Sequence, residues 1–591
     1  MGALVVACGG DGKPKIIILY GSPEQYADLR ADSNRDGQVR FDDESDANKM
    51  DWDDKVGAVF LANIDDDNSH CHWTENDDQI ALCNDAADEV INGEDDALDL
   101  ARLKTRPVAD ATDDMTANVN VDTLEAIDRV RLFYRTGPDP TDLKVLAPET
   151  TFTASQIRAG LELAIEAKDI VRDRATWDGF VNVRFTINTR LGPSSDTVRM
   201  RVAPVMTYHH LLPAEEVWVS NTQRPGNAVM RTDLRQACVA SGLPEPTEVT
   251  DEDPWAQDFF EPAYMSMPKD GGTQHVIRVN YRSANVYAPQ RKENPLRPAG
   301  TLVFRLRGKD IAGVQQFDIA HDPNMDTLNS FGNLETIPPH TANGTTFPFG
   351  RILRGETKSY FPDRAFETML EAQGQQPAIH IDTSWLLVGH VDETLSFVKA
   401  PTPRGWKLLV NDARLAKKML EEQVAAGHGD STMFAGKLWF DENTGDSAPA
   451  EISIEDVLAD SLVMQASAEA AAEVDTQLAV LKKELALAED EIIHVPFLHH
   501  ARAGLSSAYQ PGTVNGVYLS DSHFAAPDPH GPVIDGRDIF REALARPLAE
   551  IGITTDFIEE WDEYHVAVGE VHCGTNATRR IPDAKWWESG R

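Results

Sequence analysis

The sequence predicts two domains, a β-sandwich followed by a larger α/β region. Three observations carry that expectation. A chain of 591 residues is too long for a single hydrophobic core. Short β-branched and aromatic runs separated by turn residues fill residues 14–204, as in a sandwich. Beyond Pro204, strands alternate with segments of helical period and with loops rich in Gly and Pro.

The elements follow in order. Residues 1–13 begin MGALVVACGG, a short apolar run ending at Cys8 that resembles the lipid-attachment end of a bacterial lipoprotein signal. The charged start is missing and the run falls short of the usual ~7–15 apolar residues, so these positions read as a trimmed leader. Strands are expected in KPKIIILYG, VGAVFLANID, VRLFYR, FVNVRFTINT and DTVRMRVAPVMT, and the last meets a proline that ends the domain near Val202 to Pro204. In residues 205–591, DARLAKKMLEEQVAAG and the longer ASAEAAAEVDTQLAVLKKELALAEDEII have helical period. The longer run lacks the sustained heptads of a coiled coil and reads as a packing helix.

Composition bounds the function. With 41% hydrophobic and 26% charged residues the chain is globular, and no run of about 18 apolar residues marks a membrane span. Acidic side chains outnumber basic ones 96 to 55, a net charge of −41 that argues against a nucleic-acid partner. It favours basic peptides or metal ions, although solubility alone explains an acidic surface equally well. The cysteines, Cys8, Cys71, Cys83, Cys238 and Cys573, contain no CxxC pair, so neither a disulfide framework nor a Cys-rich zinc site is indicated. Pairing of Cys71 with Cys83 in an exported chain stays open.

Two regions are dense in carboxylates. In DSNRDGQVRFDD, Asp32, Asn34 and Asp36 alternate ahead of Gly37, the first half of a calcium loop, but Asp43 stands where a terminal Glu is wanted. LANIDDDN repeats the spacing with Asn63, Asp65 and Asp67, and GEDDALD adds Asp95, Asp96 and Asp99. Such groups repel one another unless water or a hard cation intervenes. One cluster alone reads as readily as a solvated loop; two clusters after separate strands tilt toward calcium.

Three polar stretches interrupt the second region: DPWAQDFFEPAY with Asp258, SWLLVGHVDETLSFV with His390 and Asp392, and GEVHCGTN with Cys573. His390 and Asp392, two apart after an apolar run, are expected on one face at a strand's end. Singly, an HxD pair reads as a structural hydrogen bond and a near-terminal Cys as buried and inert. Together, one thiol, one imidazole and two carboxylates can grip a cation while the thiolate attacks it.

These stretches, with LNSFGNLETIPPHT, FPFGRIL, LLVGHVDETLSFVKAP, LKKELALAEDEII, HGPVIDGR, YHVAVGEVHCGTN and KWWES in the same order, resemble the protein-arginine deiminases across nearly the whole chain. NIDDDN and VRMRVAP are similar to that family's immunoglobulin-like middle domain. The likeness is to a short, bacterial-type form without the animal amino-terminal domain. It implies an α/β-propeller catalytic domain of five ββαβ modules about a pseudo-fivefold axis. It also implies calcium-dependent hydrolysis of peptidyl-arginine to peptidyl-citrulline and ammonia. Cys573 matches the nucleophile that forms a covalent thiouronium, His390 the general acid and base, Asp258 and Asp392 the guanidinium-binding carboxylates, and Trp255 an aromatic wall.

The resemblance assigns middle-domain calcium to Asn63, Asp65, Asp67, Asp77, Asp96 and Asp99, with Asp32, Asn34 and Asp36 as an outer site. Gln257, Glu261 and Glu335, with the carbonyls of Phe331 and Leu334, match one catalytic-domain calcium site. A second site is expected to be lost or rebuilt, since Phe259 replaces a glutamate and Arg278 falls near an aspartate position. Arg282 matches a substrate-backbone arginine, but its companion is Ala284 and the arginine ahead of the nucleophile is replaced by Ala567. Gly574 and Thr575 are expected to leave the sulfur accessible, and His572 to be structural. The partners implied are arginine-containing proteins or peptides at an extracellular or cell-envelope location, for a monomer or homodimer. The competing readings are an enzyme acting on a free guanidine such as arginine or agmatine, and a non-catalytic calcium-binding envelope protein.

Overall fold

The structure, a computed structural model, describes residues 3–8, 14–19, 26–42, 46, 48–318, 320, 327–357, 362–441 and 446–591. Two five-stranded sheets occupy the first third of the chain. One runs Leu29–Ala31, Ala101–Thr105, Glu162–Ala167, Val130–Arg135, Leu143–Val145; the other runs Ala58–Phe60, Gly192–Val202, Phe180–Thr189, Thr116–Val121, Phe152–Thr153. Alternation explains the pairing. In Phe180–Thr189, Val181, Val183, Phe185 and Ile187 are buried, and they join Leu103, Leu163 and Ile165 of the facing sheet in one core. The expected first strand behaves differently: Pro14–Leu19 pairs antiparallel with Ala3–Cys8 and enters neither five-stranded sheet. The remaining leader positions 1, 2 and 9–13 lie outside the described residues.

The second region repeats one wiring five times among the described residues. In each unit an antiparallel strand pair is extended by a third strand parallel to it, and the crossover carries a helix, as parallel pairing requires. The pairs are Ala214–Asn221 with Thr575–Arg579, Glu261–Lys269 with Thr273–Tyr281, Leu334–Ile337 with Arg351–Glu356, Leu395–Lys399 with Trp406–Asp412, and Val517–Ser520 with His523–Pro527. The parallel third strands are Thr247–Thr250, Ile311–Val314, Ile379–Asp382, Ile492–Pro496 and Thr554–Ile558. The last strand of the chain thus completes the sheet that the first unit began, with Trp218 opposite Asn576.

The long helix runs Ser461–Leu485, capped by the Asp460 side chain on the amides of Leu462 and Val463. It ends where Ala486 turns left-handed (φ 49°), so the last residues of its periodic run are not helical. Ile492 and Ile493 instead enter a strand beside Leu408 and Leu409. No helix among the described residues is long and apolar enough to cross a membrane.

The carboxyl-terminal segment ties the two regions together. Trp586 and Trp587 are buried; Trp586 stacks on Trp52 with centroids 5.7 Å apart, and its indole donates to the Ser266 carbonyl (2.8 Å). Arg201 covers both rings, 4.7 Å from the Trp52 centroid and 5.2 Å from that of Trp586. Removing that ring leaves a cavity at the junction, so Trp586→Ala should destabilise the protein by about 3–5 kcal/mol, measured as a shift of the urea unfolding midpoint.

Candidate active site

Four segments that each lie just ahead of a strand build the site. Asp258 belongs to the 3-10 turn Ala256–Phe259 before Glu261–Lys269, and Phe331–Asn333 is the turn before Leu334–Ile337. His390 caps the turn Val391–Glu393, which carries Asp392 and precedes Leu395–Lys399, and Cys573 precedes Thr575–Arg579. The expected strand-end placement of the HxD pair is therefore corrected. The apolar run before His390 is a loop, with Leu386 making only an isolated bridge to Ser506, and Glu393 Oε1 accepts from the amides of Gly389 (2.9 Å) and His390 (2.8 Å).

The turn at Phe331 is the hub. The Phe331 amide donates to Asp258 Oδ1 (3.1 Å). At Gly332 a Cβ would lie 2.6 Å from His390 Nδ1 and 2.9 Å from Asp392 Oδ2, so only glycine lets the three approach. The Cys573 thiol reaches Asp392 Oδ2 at 3.4 Å, and the Gln257 amide donates to the Cys573 carbonyl (3.2 Å), which binds the nucleophile loop to the Asp258 turn. His390 Nε2 lies 2.7 Å from the Thr327 carbonyl, while Nδ1 is buried with no hydrogen-bond partner, 4.0 Å from Asp392 Oδ1. A proton on Nε2 donating to Thr327 leaves the Nδ1 lone pair facing the site. Trp255 is half-exposed, edge-on to Tyr564 (5.5 Å) and flat against Gly569, whose absent Cβ would fall 2.2 Å from the indole.

Burial first, then the carboxylates of Asp392, Asp258 and Glu393, push the Cys573 thiol well up. Burial also raises Glu393 to about 8. A sulfur held toward its protonated form among carboxyl groups suits a cationic ligand.

Two participants escaped the sequence reading. Asn515 is buried, its Oδ1 accepts from the amides of His572 (3.0 Å) and Cys573 (3.4 Å), and its Nδ2 donates to the Asp392 carbonyl (3.1 Å) and lies 3.5 Å from Cys573 Sγ. Its setting between glycines, GTVNG, is the only local signal. Arg297 donates to Asp258 Oδ2 (2.6 Å) and grips Asp253 through Nε (2.7 Å) and Nη2 (2.8 Å), so one oxygen of Asp258 already holds a guanidinium.

Other expectations need correction. Arg282 is buried and donates to Asp77 Oδ1 and Gln315 Oε1, both at 2.7 Å, so it is committed to the interior instead of facing a peptide. Asp77 thus pairs with Arg282 through Oδ1, while its Oδ2 is buried with no hydrogen-bond partner. Gly574 packs against Tyr564 and Met230, and Thr575 is buried with its hydroxyl on the His572 carbonyl (3.3 Å), so both serve packing and neither lines an approach to sulfur. His572 Nδ1 lies 3.0 Å from Asp392 Oδ2 and 3.6 Å from Glu335 Oε1.

The acidic residues of the first region behave in two ways. Asn63 Oδ1, Asp65 Oδ1, both oxygens of Asp67 and Asp99 Oδ2 are buried with no hydrogen-bond donor. Burial and then mutual repulsion raise Asp65 and Asp99 well above the usual carboxylate range and lift Asp67 to about 6. Bare, converging oxygens fit a hard cation. Asp96 is different: its oxygens take the Asn63 side-chain amide (2.8 Å) and the Asn92 backbone amide (2.5 Å). Asp95 pairs with Lys309 (2.7 Å). Asp85, buried with Oδ2 on the Asp67 amide (2.8 Å), joins the cluster without having been foreseen. In the outer loop, Asp32 accepts from the amides of Asp36 (3.0 Å) and Gly37 (2.9 Å), Asn34 Oδ1 also accepts from Asp36 (3.2 Å), and Asp36 pairs with Arg40 (2.9 Å). Burial raises Asp32 to about 7. Asp43 lies outside the described residues.

In the second region, Gln257, Glu261 and Glu335 border one small cavity, and the Phe331 carbonyl beside it accepts from the Leu334 amide. Imidazoles of His210 and His572 border the same cavity, so the donor set is not the all-oxygen one expected for calcium. Phe259 is a buried apolar ring and Arg278 donates to Tyr208 Oη (3.1 Å) and Glu215 (2.5 Å), so neither offers a carboxylate to a second ion.

The sequence model of the family described as Protein-arginine deiminase (PAD) matches residues 193–588. Protein-arginine deiminase type-3 of Mus musculus is 29% identical over 565 residues, covering 92% of this chain and 80% of its own. Type-4 of Homo sapiens is 29% identical over 620 residues, covering 98% and 87%. Among solved structures, the agmatine deiminase of C. jejuni superposes with a TM-score of 0.35 at 9% identity, over 64% of this chain and 97% of its own, too loosely to bear on fold or chemistry.

Because Asp392 contributes to holding the thiol protonated, Asp392→Asn should lower the thiol pKa and speed alkylation of Cys573 by iodoacetamide at pH 8, followed by mass spectrometry. A slower rate would remove Asp392 as a cause of the raised pKa.

Proposed function

Because this chain belongs to the protein-arginine deiminase family, hydrolases acting on the C–N bonds of amidines, we propose that it converts peptidyl-arginine to peptidyl-citrulline and ammonia at Cys573. The observation that carries the reading is the thiol of Cys573, 3.4 Å from a buried carboxylate of Asp392, with His390 Nδ1 and Asp392 meeting over Gly332 and Asp258 held by the same turn. An arginine guanidinium is planar and stays protonated, and paired carboxylates are its natural cradle. Asp258 and Asp392 fill that role, Asp258 through Oδ1, the oxygen not already spent on Arg297. Half-exposed Trp255 walls the aliphatic stem.

The arriving cation offsets the negative charge that keeps the thiol protonated, so deprotonation is easiest when substrate is bound. The thiolate attacks the guanidinium carbon. His390, whose Nε2–H is held by Thr327, takes the thiol proton on Nδ1 and then delivers it to the departing nitrogen as ammonia leaves. The resulting thiouronium is hydrolysed when the same Nδ1 accepts a proton from water, returning the thiol. Asn515 positions the loop by holding the amides of His572 and of the nucleophile itself and the carbonyl of Asp392.

The bare oxygens of Asn63, Asp65, Asp67 and Asp99 would hold calcium, which there supplies positive charge and fixes the cluster. The Asp32 loop is its outer companion. Residues 14–204 and 205–591 are read as the immunoglobulin-like and propeller domains, the five repeated units being arranged about a pseudo-fivefold axis. Cys71 and Cys83 are disulfide-bonded with Cα atoms 5.7 Å apart, which supports an oxidising, extracellular or envelope location.

Citrulline release from a blocked arginyl peptide and from free arginine tests the reading. Turnover of the peptide is expected, and activity confined to the free amino acid would overturn the assigned substrate. Cys573→Ala should leave no measurable turnover, and His390→Ala should lower kcat by roughly 10²–10⁴-fold. Calcium binding has its own pH signature. The raised carboxyls stabilise the cation-free fold fully while protonated, below their unfolded pKa of about 3.9, and that contribution is lost as pH rises through about 6 for Asp67 and about 7 for Asp32. The increase in Tm on adding calcium should therefore be larger at pH 8 than at pH 5, read by scanning calorimetry.

A further inference from the structure

Behind the nucleophile, three ligand atoms converge from distant parts of the chain. His210 follows the short strand Met206–Thr207, Glu335 lies on Leu334–Ile337, and His572 precedes Cys573. His210 Nε2 contacts Glu335 Oε2, His572 Nδ1 lies 3.6 Å from Glu335 Oε1, and the ligating atoms of the three side chains all fall within 4.8 Å of one another. The two imidazole rings stack at 5.7 Å. All three residues are buried, and Glu335 Oε1 is aimed into the cavity without a hydrogen-bond partner. Glu261 adds a second buried carboxylate. Arg579 borders the same cavity and spends its Nη1 on the carbonyls of Leu212 (2.8 Å) and Tyr518 (3.0 Å).

Two facts select the ion. Calcium takes six to eight oxygens and usually some water, whereas this cavity holds about 30 Å³, room for an ion and little else. Neutral imidazole is a donor for borderline transition ions, and two histidines with one carboxylate make up a known zinc donor set. We propose that His210, His572 and Glu335 bind a borderline divalent transition-metal ion of the zinc class, in the place where the family resemblance leads one to expect calcium. The ion draws on Nδ1 of His572, the atom that now faces Asp392 at 3.0 Å. Metal binding therefore competes with Asp392 for His572 and frees that carboxylate toward the thiol. The site is independent of the acidic cluster of the first region and stands whether or not Cys573 acts on peptides.

The test uses the full-length protein stripped with a chelator and titrated with cobalt(II) in excess calcium. The expected result is a visible d–d absorption that saturates at one equivalent, is displaced by zinc and persists in calcium. His210→Ala should weaken cobalt binding by about 100-fold or more and remove the band. Should that variant unfold, His210→Asn and Glu335→Gln, each checked for a native melting transition, carry the same expectation. An unchanged band in a folded His210 variant, or a wild-type protein whose band calcium abolishes, overturns the proposal. Because the readout is a spectrum, failure here is distinct from failure to release citrulline.

Discussion

Buried negative charge is the constraint on which the rest of this structure depends. Carboxylates are packed into the interior where a desolvated charge must be matched or protonated. Where the chain supplies its own cation the match is close: Arg282 on Asp77, Arg297 on Asp258 and Asp253, Arg131 on Glu166. Where it does not, oxygens are left bare, as at Asp65, Asp67, Asp99 and Glu335. These positions lie around the cleft and along the seam between the two regions. A protein built this way is incomplete until positive charge arrives from outside, and a substrate guanidinium is one such charge.

The seam gives that incompleteness a route to the site. Residues of the second region reach directly into the acidic cluster: His275 Nε2 contacts Asp99 (2.5 Å), the Asp310 amide donates to Asp65 Oδ2 (2.9 Å), and the Asp77 amide donates to the Glu293 carbonyl (2.7 Å). Arg282 and His275 lie at the end and near the start of the strand Thr273–Tyr281 and its continuation, the partner of Glu261–Lys269, which the Asp258 turn precedes. The acidic cluster and the Asp258 turn are thus joined through one pair of strands.

Much of this was legible in the chain because local pattern and tertiary role agree. FVNVRFTINT alternates cleanly, and it and the β-branched and aromatic run VRLFYR form the strands Phe180–Thr189 and Val130–Arg135 with the bounds the pattern predicts. The four residues of the proposed site stand out because polar groups interrupt apolar runs. What could not be read locally are the pairings across long separations. Arg282 and Asp77 are 205 residues apart, Asn515 and Cys573 are 58 apart, and His210 and Glu335 are 125 apart. The HxD pair misled for a different reason. SWLLVGH is apolar enough for a strand, but its leucines and valine pack as loop residues, and the capping carboxylate of Glu393 sets the turn.

The closing strand has a consequence of its own. Thr575–Arg579 completes the first sheet of the second region, and Cys573 hangs immediately ahead of it. The thiol is therefore mounted between that strand and the Asp258 turn, ahead of the segment that Trp586 anchors. Because the partner of that strand opens the second region, Cys573 takes its place only in a chain whose second region has closed on itself.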